Sequence, residues 1–525
     1  MGLPELLAIL LVACVCVALM AGYPVALTLG GVALVFAVLG DVLGVMSFSL
    51  IGALPPRVFG VMTNEVLLAI PLFIFMGVML ERSQIAEELL ETMGRLFGSL
   101  TGGLAISVTI VGVLLAAAKG VVGATVVTMG LITLPAMLRH GYDPRLAAGT
   151  VAATATLAQI MPPATVLVLL GDQLNTAYQA AQLAQGVFAP DQVSVSDLFA
   201  GAMLPALVLV GLYLLFQIAV AIVRPQACPA IPPEPNAPRG FALARRLTNV
   251  LVAPVALIVV VLGSILGGLA TPTEAAGVGA FGAILLTARK VDPAGARPVA
   301  VALLALAALV VLRGTVDVRM ARASSGPLGL AAVASVFVLL GAVAYGTTIA
   351  ILSIARAKIL AAVLTTTTHI TAMIFVILIG ATMFSLVFRG LGGDDMVQRA
   401  LSDLPGGTGG AILTVMIAMF LLGFVMDAFE IIFVVVPIVA PALLKMPGVD
   451  PVWLGIMMAV NLQTSYLHPP LGPTLFYLRG VAPPQITTLH IYVGIIPFVL
   501  IQLFMLAVLW FWPGLASWLP HALYG

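Results

Sequence analysis

Polar residues are sparse along the chain, and the places where they fall predict its elements. Apolar runs of about the 20 residues that a membrane helix needs begin near Leu6 and Tyr23, and a third covers residues 67–80. The charge-rich segment 81–98 follows. Within it Ile85, Leu89, Met93 and Leu96 recur at helical spacing, opposite Glu87, Glu88, Glu91 and Arg95. That pattern predicts an amphipathic helix in the membrane interface, with a solvated loop helix as the alternative. Residues 104–137 are apolar but interrupted at Lys119-Gly120 and Gly123. The run is too long for one span, so it predicts a helical hairpin with its tip at Lys119-Gly120. Residues 412–444 repeat the arrangement, apolar except at Asp427 and Glu430.

Each hairpin is followed by an apolar run that stops at a double proline, Pro162-Pro163 in one copy and Pro469-Pro470 in the other. Proline has no N–H, clashes with the carbonyl four residues back, and disfavours helix in the residue before it. Carbonyls near Ala158 and Gln159, and near Ser465 and Tyr466, are thereby freed. Inside a bilayer such carbonyls are tolerated where they line a cavity or coordinate something. The whole stretch is duplicated: LPAMLRHGYDPRLAAGTVAATATLAQIMPP from Leu134 matches APALLKMPGVDPVWLGIMMAVNLQTSYLHPP from Ala440. Pro135-Ala136 falls on Pro441-Ala442 and Asp143-Pro144 on Asp450-Pro451, with one residue inserted between these pairs in the second copy. From Asp143 to Pro162 and from Asp450 to Pro469 the separation is the same 19 residues. Paired broken helices at matching places in two halves point to the substrate and ion site of a transporter. The alternative for each proline pair is a plain kink supported by neighbouring helices.

Composition narrows the class. The chain has 525 residues, 62% hydrophobic and only 8% charged, against about 25% charged in soluble domains, so it is a polytopic all-α membrane protein. A net charge of +1 excludes a nucleic-acid partner. Cys14, Cys16 and Cys228 form neither a disulfide framework nor a metal site. The opening run lacks a basic n-region and reads as a first membrane helix. The polar loop expected at residues 172–197 holds acids and no Lys or Arg, whereas the Pro-rich loop after the run 204–222 carries Arg224, Arg239, Arg245 and Arg246. The positive-inside rule places the second in the cytoplasm and the first outside. No Lys or Arg precedes Arg57 or follows Arg479, so both termini are expected outside. Two further apolar runs, 298–312 and 328–351, are an addition that the duplicated unit does not need.

Six segments carry a resemblance to a known family: AIPLFIFMGVMLE from Ala69, GATVVTMGLITLPAMLRHGYDP from Gly123, ATPTEAAGVGA from Ala270, ITAMIFVILIGATMFSLVFRGLGG from Ile370, MDAFEIIFVVVPIVAPALL from Met426 and NLQTSYLHPPLGPTLFYLRGVAP from Asn461. In these the chain resembles the large membrane subunit (DctM) of tripartite ATP-independent periplasmic transporters. The match is closest to the branch labelled for mannitol or chloroaromatic compounds, a label that does not name a substrate. The resemblance runs from near residue 20 to near 490, apart from about 292–355. It implies an inverted-repeat elevator transporter in the bacterial inner membrane, with both termini periplasmic, coupled to sodium. It also implies a small organic acid delivered by a periplasmic binding protein (DctP-like), and a small four-helix membrane subunit (DctQ-like). Only about 60 residues precede the family's core motifs, so that subunit is expected as a separate chain. No cofactor beyond the coupling ion is implied. The chain then divides into N-terminal scaffold helices with the amphipathic helix (1–100), a first transport repeat (101–200), connecting scaffold helices (201–290), the inserted pair (291–358), a second transport repeat (359–480) and a C-terminal membrane helix (481–525).

Sodium takes hard oxygen ligands, by the logic of other hard cations. The first candidate site joins Lys119, Gly120 and Gly123 at the hairpin tip to Thr154, Thr156 and the carbonyls of Ala158 and Gln159 before Pro162-Pro163. The second joins Met426 and Asp427 to Asn461, Gln463, Thr464 and Ser465 before Pro469-Pro470. Thr154 and Thr156 align with Asn461 and Gln463; helix–helix hydrogen bonds are the alternative role for these polar side chains. Lys119 and His468 stand where the family usually has a small hydroxyl residue. A buried ammonium supplies the charge of a bound cation, and a histidine titrates near neutral pH, which opens proton coupling. Otherwise Lys119 snorkels to water and His468 caps a carbonyl. Asp427 and Glu430 share a helix face, placed to ligate a cation or pair with Lys119. Arg389 meets a substrate carboxylate or marks the membrane boundary, and Glu274 follows a helix break at Thr271-Pro272 as an N-terminal helix charge. His140, His369, His490 and His521 have no metal-ligand spacing, and no GxxxxGK[ST] loop for ATP is present. The expected function is the permease of a binding-protein-dependent, ion-driven importer. The runner-up is a stand-alone carboxylate transporter, and an integral-membrane enzyme built on Asp427, Glu430 and His468 is the outlier.

Overall fold

The computed structural model describes residues 2–231, 241–292, 296–315, 327–424, 426–470 and 472–525, and every regular element among them is a helix. A bilayer core holds no water to satisfy backbone N–H and C=O groups, so apolar segments close their hydrogen bonds locally as helices. Among the described residues seven helices are long and apolar enough to cross a membrane. An eighth span arises if Phe48–Met62 and Val66–Arg82, bent by 54°, count as one.

The chain opens with α1 (Leu3–Met20), α2 (Val25–Val42), α3 (Leu54–Met62) and α4 (Ala69–Arg82). The amphipathic α5 (Ile85–Phe97) leads to the first hairpin, α6 (Gly103–Lys119) and α7 (Val122–Arg139). The first broken helix follows as α8 (Pro144–Thr156) and α9 (Thr165–Ala184), and then α10 (Val195–Val223). Helices α11 (Phe241–Leu266), α12 (Pro272–Val291), α13 (Ala296–Thr315) and α14 (Pro327–Arg356) connect the halves. The same order then returns: α15 (Ile359–Gly390), the short amphipathic α16 (Gly393–Ser402), and the hairpin of α17 (Gly407–Leu422) with α18 (Ala428–Val434) and α19 (Val436–Leu444). The second broken helix is α20 (Pro451–Leu467) and α21 (Pro473–Val481), followed by α22 (Thr488–Phe511) and the terminal α23 (Gly514–Tyr524).

Two groups of helices result. In one, α2 and α4 pack on α15, α4 on α12, and α14 on α12 and α13. In the other, the hairpins surround the broken helices, with α22 on α8 and α23 on α10. The amphipathic helices touch both: α5 lies on α6 and α11, and α16 on α19 and α1. On α5 the apolar Leu89, Leu90 and Met93 are buried, while Glu88 pairs with Lys290 of α12 at 2.9 Å. On α16, Arg399 pairs with Glu5 of α1 at 2.7 Å. These partly exposed pairs fix orientation more than they stabilise, at about 0–1 kcal/mol each.

The duplication is visible in the packing. The returning arm of each hairpin lies against the second half of the other repeat's broken helix, α7 on α21 and α19 on α9. Each broken helix starts from an Asp cap: Asp143 accepts the Arg145 N–H at 2.8 Å and Asp450 the Trp453 N–H at 2.6 Å. The closing helices start alike, from Ser194 capped with Asp197 and from Thr487 capped with His490. Seven residues beyond these caps stand Gly201 and Gly494. A Cβ on Gly494 would run into the Arg145 carbonyl of α8, and one on Gly201 would meet Val452 and Ile456 of α20. Arg145 and Val452 occupy the same place in their two repeats, two residues after the capping aspartate.

Two details differ from the sequence reading. Residues 172–184, expected as polar loop, continue α9. Their polar side chains cover the short loop beyond: Gln182 accepts the Asp191 N–H at 2.6 Å and Asn175 the Val193 N–H at 3.2 Å. The returning arm of the second hairpin is split at Val435, since Pro437 cannot donate the next helical bond. The bend before α4 places Asn64 where its amide donates to Asp172 of α9 at 2.7 Å. Tyr142, in the turn between α7 and α8, accepts the Leu104 N–H at 3.1 Å, and burial pushes its phenol up to about 12. The inserted helices α13 and α14 pack on each other, with Gly346 of α14 close against the Pro298 carbonyl. Arg239 and the side chains of Lys119, Arg245 and Arg246 lie outside the described residues.

Candidate functional site

The first hairpin turns at Gly120, which is left-handed at φ +62 and sends its N–H to the Ala116 carbonyl at 3.1 Å. A Cβ there would come within 2.8 Å of Thr165 Oγ1. The tip therefore rests on the first residue of α9, two residues after the proline pair. Upstream, α8 stops at Thr156 and passes into a single tight turn, Leu157–Gln159. The Leu157 carbonyl accepts both the Ile160 and Met161 N–H groups, at 3.1 and 2.8 Å, and Pro162 and Pro163 have no N–H to offer the Ala158 and Gln159 carbonyls that follow. The whole break is buried, Ala158 and Pro162-Pro163 included.

The second break keeps the plan. Helix α20 ends at Leu467, the His468 N–H reaches the Ser465 carbonyl at 3.3 Å, and Pro469-Pro470 precedes α21. The proline–proline peptide bond is cis in both copies. At the second tip the Met426 N–H donates to the Leu422 carbonyl at 2.8 Å. Asp427 then caps α18 by accepting the Ala428 N–H, and Glu430 accepts the Asp427 N–H at 3.1 Å. The same Ala428 N–H also reaches Tyr466 Oη of α20 at 3.1 Å. Asp427 and Glu430 thus share a face and hold the tip's own helix.

Between the breaks, buried polar side chains from four helices converge. Thr156 Oγ1 lies 3.4 Å from Gln463 Nε2 of α20 and 3.4 Å from Gln502 Nε2 of α22. Gln502 donates in turn to Tyr213 Oη of α10 at 2.7 Å. Thr154 meets Thr109 of α6 at 3.4 Å, and Asn461, its counterpart, donates to the Met416 carbonyl of α17 at 2.8 Å. Each first hairpin arm is thereby held to its own broken helix by a polar contact at the matching position. Thr464 and Ser465 return their hydroxyls to carbonyls of their own helix, at 2.8 Å each. Gln159, 1% exposed, and Gln463 keep an amide oxygen with no hydrogen-bond partner among the described residues, as does the Thr165 hydroxyl. A buried polar atom without a partner costs about 1–3 kcal/mol, and unspent oxygens beside freed backbone are what a desolvated hard cation requires.

The remaining predicted residues fall elsewhere or take structural partners. His468 is bonded through Nδ1 to the Pro469 carbonyl, and its ring lies 5.1 Å from that of Phe420 and 5.4 Å from that of Phe424. Arg389, at the end of α15, pairs with Asp394 at 3.1 Å, away from both breaks. Glu274 forms a capping box with Thr271 at the start of α12. Among the described residues no group of three His, Cys, Asp or Glu side chains is placed to hold a metal ion. Sequence reasoning named the freed carbonyl near Tyr466 but missed its side chain, and it missed Tyr477, Tyr213, Gln502 and Thr165. Tyr477 of α21 joins the halves: its ring lies against Gly123 of the first hairpin, within electrostatic reach of Asp427 and Glu430. The available signal was single polar residues inside apolar spans, as at Gln502 and Tyr213.

Thr156→Val tests the centre of this network. Valine keeps the shape and removes the oxygen that both amides approach, so stability is expected to fall by about 1–3 kcal/mol. A thermal melt of the detergent-purified protein reads this, and an unchanged Tm would detach Thr156 from Gln463 and Gln502.

Comparisons with known proteins agree with this architecture. A family model described as "Tripartite ATP-independent periplasmic transporter, DctM component" matches residues 12–295 and 287–515. The C4-dicarboxylate TRAP transporter large permease protein DctM of Vibrio cholerae is 27% identical over 87% of this chain and 86% of its own. The isethionate TRAP transporter permease protein DctMQ of Oleidesulfovibrio alaskensis is 26% identical over 95% of this chain and 64% of its own. Among solved structures, that of the Alcanivorax borkumensis YdaH transporter shares the fold, with a TM-score of 0.52 over 98% of both chains at 15% identity. With both repeats inside the matched residues and the hairpins and broken helices in place, the chain belongs to the DctM component family of tripartite ATP-independent periplasmic transporters, and it is a transport protein and not an enzyme.

Proposed function

We propose that this chain is the inner-membrane permease through which a sodium gradient imports a small organic anion delivered by a periplasmic binding protein. The observation that carries the reading is the set of buried, partnerless oxygens at and near the helix breaks, on Gln159 and Thr165 in the first repeat and Gln463 and Thr474 in the second. Sodium is cargo here, bound between each hairpin tip and the break beneath it. Substrate sits between the two tips, near Gly123, Tyr477 and Asp427. The division into two helix groups supports an elevator movement, in which the hairpins and broken helices slide against α1–α4 and α11–α15. The charge asymmetry of the loops supports periplasmic termini.

The partners follow from the family. Both relatives above are named for small anions, a C4-dicarboxylate and isethionate, which supports an anionic substrate without choosing it. The isethionate relative joins M and Q in one name, and this chain covers 64% of it. That supports a small membrane subunit of the Q kind as a partner. Proton coupling through His468 is the second reading. The bond from its ring to the Pro469 carbonyl favours a capping role instead.

The test is uptake into proteoliposomes holding this chain and its small subunit, with loaded binding protein outside and each gradient imposed alone. Sodium is expected to drive accumulation, and His468→Thr to retain it. Accumulation driven by protons and lost in His468→Thr would replace sodium with protons. Accumulation under neither gradient, with all partners folded, would overturn the transport reading.

A further inference from the structure

The crossings of α10 over α20 and of α22 over α8 occupy matching places in the two repeats, yet they are covered differently. At the crossing on α20 the chain covers itself. Helix α23 packs on α10 and α20, with Ala516 buried and its carbonyl close to Gly201. The indole of Trp453, the third residue of α20, donates to the Leu509 carbonyl of α22 at 2.7 Å. At the crossing on α8, where Gly494 lies, a groove of about 400 Å³ stays open between α10 and α22 among the described residues. Its walls are apolar, formed by Phe216, Val220 and Val223 on one face of α10 and by Val493 and Pro497 on one face of α22. Val223 and Val493 are exposed, so the groove opens sideways from the two spans. Its rim is charged. Arg145, the second residue of α8, and Arg224, directly after the α10 span, line it beside Asp143. Asp143 accepts the Arg145 backbone N–H and donates its own N–H to the Ala227 carbonyl at 2.8 Å, which ties the two sides of the rim together. Neither guanidinium has a hydrogen-bond or ion-pair partner among the described residues.

We propose that this groove binds an anionic phospholipid, with its phosphate on Arg145 and Arg224 and an acyl chain along α10 and α22, at the place that α23 covers in the other repeat. The site is independent of the coupling ion. A guanidinium offers a planar fork that matches phosphate oxygens, and such charge-assisted bonds are about twice as strong as neutral ones. At the end of a membrane span the pair forms in a medium less polar than water, which strengthens it. Two arginines against one aspartate leave the rim positive, and basic pockets between membrane helices receive anionic headgroups. An arginine that only snorkels to water needs no apolar groove beneath it. A soluble anion such as free phosphate would use the rim and leave the walls uncovered, whereas a lipid covers both.

Native mass spectrometry of the full chain in neutral detergent, titrated with dioleoylphosphatidylglycerol, reads the affinity of the first lipid retained. Arg145→Gln with Arg224→Gln is expected to weaken it about a hundredfold, roughly tenfold for each charged hydrogen-bonding partner lost. Arg145→Lys with Arg224→Lys should recover part of that loss. Ala219→Trp fills the groove from α10 and keeps both charges, and it should abolish retention. Arg356→Gln, at the end of α14, is the control for surface charge and should change nothing. Dioleoylphosphatidylcholine is expected to bind about tenfold more weakly or worse, and inorganic phosphate to leave the bound lipid in place. Monodisperse elution checks the fold of each variant, and Ala219→Trp gives the answer if the double glutamine variant fails to fold. Equal affinity for the two lipids, displacement by phosphate, or the same loss in Arg356→Gln would overturn the proposal. So would wild-type affinity in either Ala219→Trp or the double glutamine variant. Expulsion of the lipid when the small subunit is copurified would give the groove to that subunit and overturn it as well.

Discussion

Gly494→Ala is expected to abolish the folded protein. Helices α8 and α22 cross backbone to backbone, with the Gly494 carbonyl against Gly149 and Gly494 itself against the Arg145 carbonyl. A methyl group at position 494 meets main chain, which cannot swing away as a side chain would. Overpacking of a close contact costs about 1–3 kcal/mol when side chains can yield, and more when they cannot. The contact also carries the break, because α8 runs directly into Thr156 and Gln159. Gly201→Ala, at the matching crossing, faces the side chains of Val452 and Ile456 as well as the Ala516 carbonyl, and is expected to be milder. Gly341→Ala is the control, since a Cβ there meets nothing within 4 Å. Detergent-extracted yield and a monodisperse elution profile give the answer. A well-behaved Gly494→Ala protein with normal uptake would mean that α8 and α22 do not pack this closely.

Gln159→Leu is expected to separate stability from function, raising the Tm while raising the sodium concentration that uptake requires. An orphaned amide oxygen in a fully buried site destabilises the empty protein by about 1–3 kcal/mol, and an apolar side chain of similar size relieves that cost. The same change deletes an oxygen offered to the cation, so the sodium concentration for half-maximal uptake should rise about tenfold or more, the equivalent of one lost ligand worth 1.4 kcal/mol. Gains in stability at the expense of activity are the usual signature of a site held ready for a ligand. A lower Tm with unchanged sodium dependence would make Gln159 a packing residue and remove the first repeat's break from the coupling mechanism.

Much of the architecture is legible in local chemistry. The first hairpin turns at Lys119-Gly120, where the polar interruption placed it, because a glycine free to adopt φ +62 sits between two runs that must each stay helical. Both helices break at their proline pairs because the missing N–H is a property of the residue. The continuation of α9 through Asp172 and Gln182 was not legible. Those side chains read as loop until the fold supplies Asn64 and the backbone of Asp191 and Val193 as their partners. Asp427 and Glu430 carried a correct spacing and an open role. Only the tip's position on α20 shows them capping α18 while Tyr466 shares the same donor.

By itself, then, the sequence determined that this is a helical membrane protein built from a duplicated hairpin and broken helix, and that it resembles one transporter family. These conclusions rest on apolar run length, proline chemistry and the register of a repeat, all of which act within a few turns of chain. The tertiary structure alone decided which polar residues meet. Thr156 and Gln463 are 307 residues apart and touch only because one repeat is inverted against the other. An amide or phenol inside an apolar span looks the same whether it faces lipid, a neighbouring helix or a bound ion. Its partner is set by how the helices cross, and Gly149, Gly201 and Gly494 fix those crossings by letting the helices approach closely.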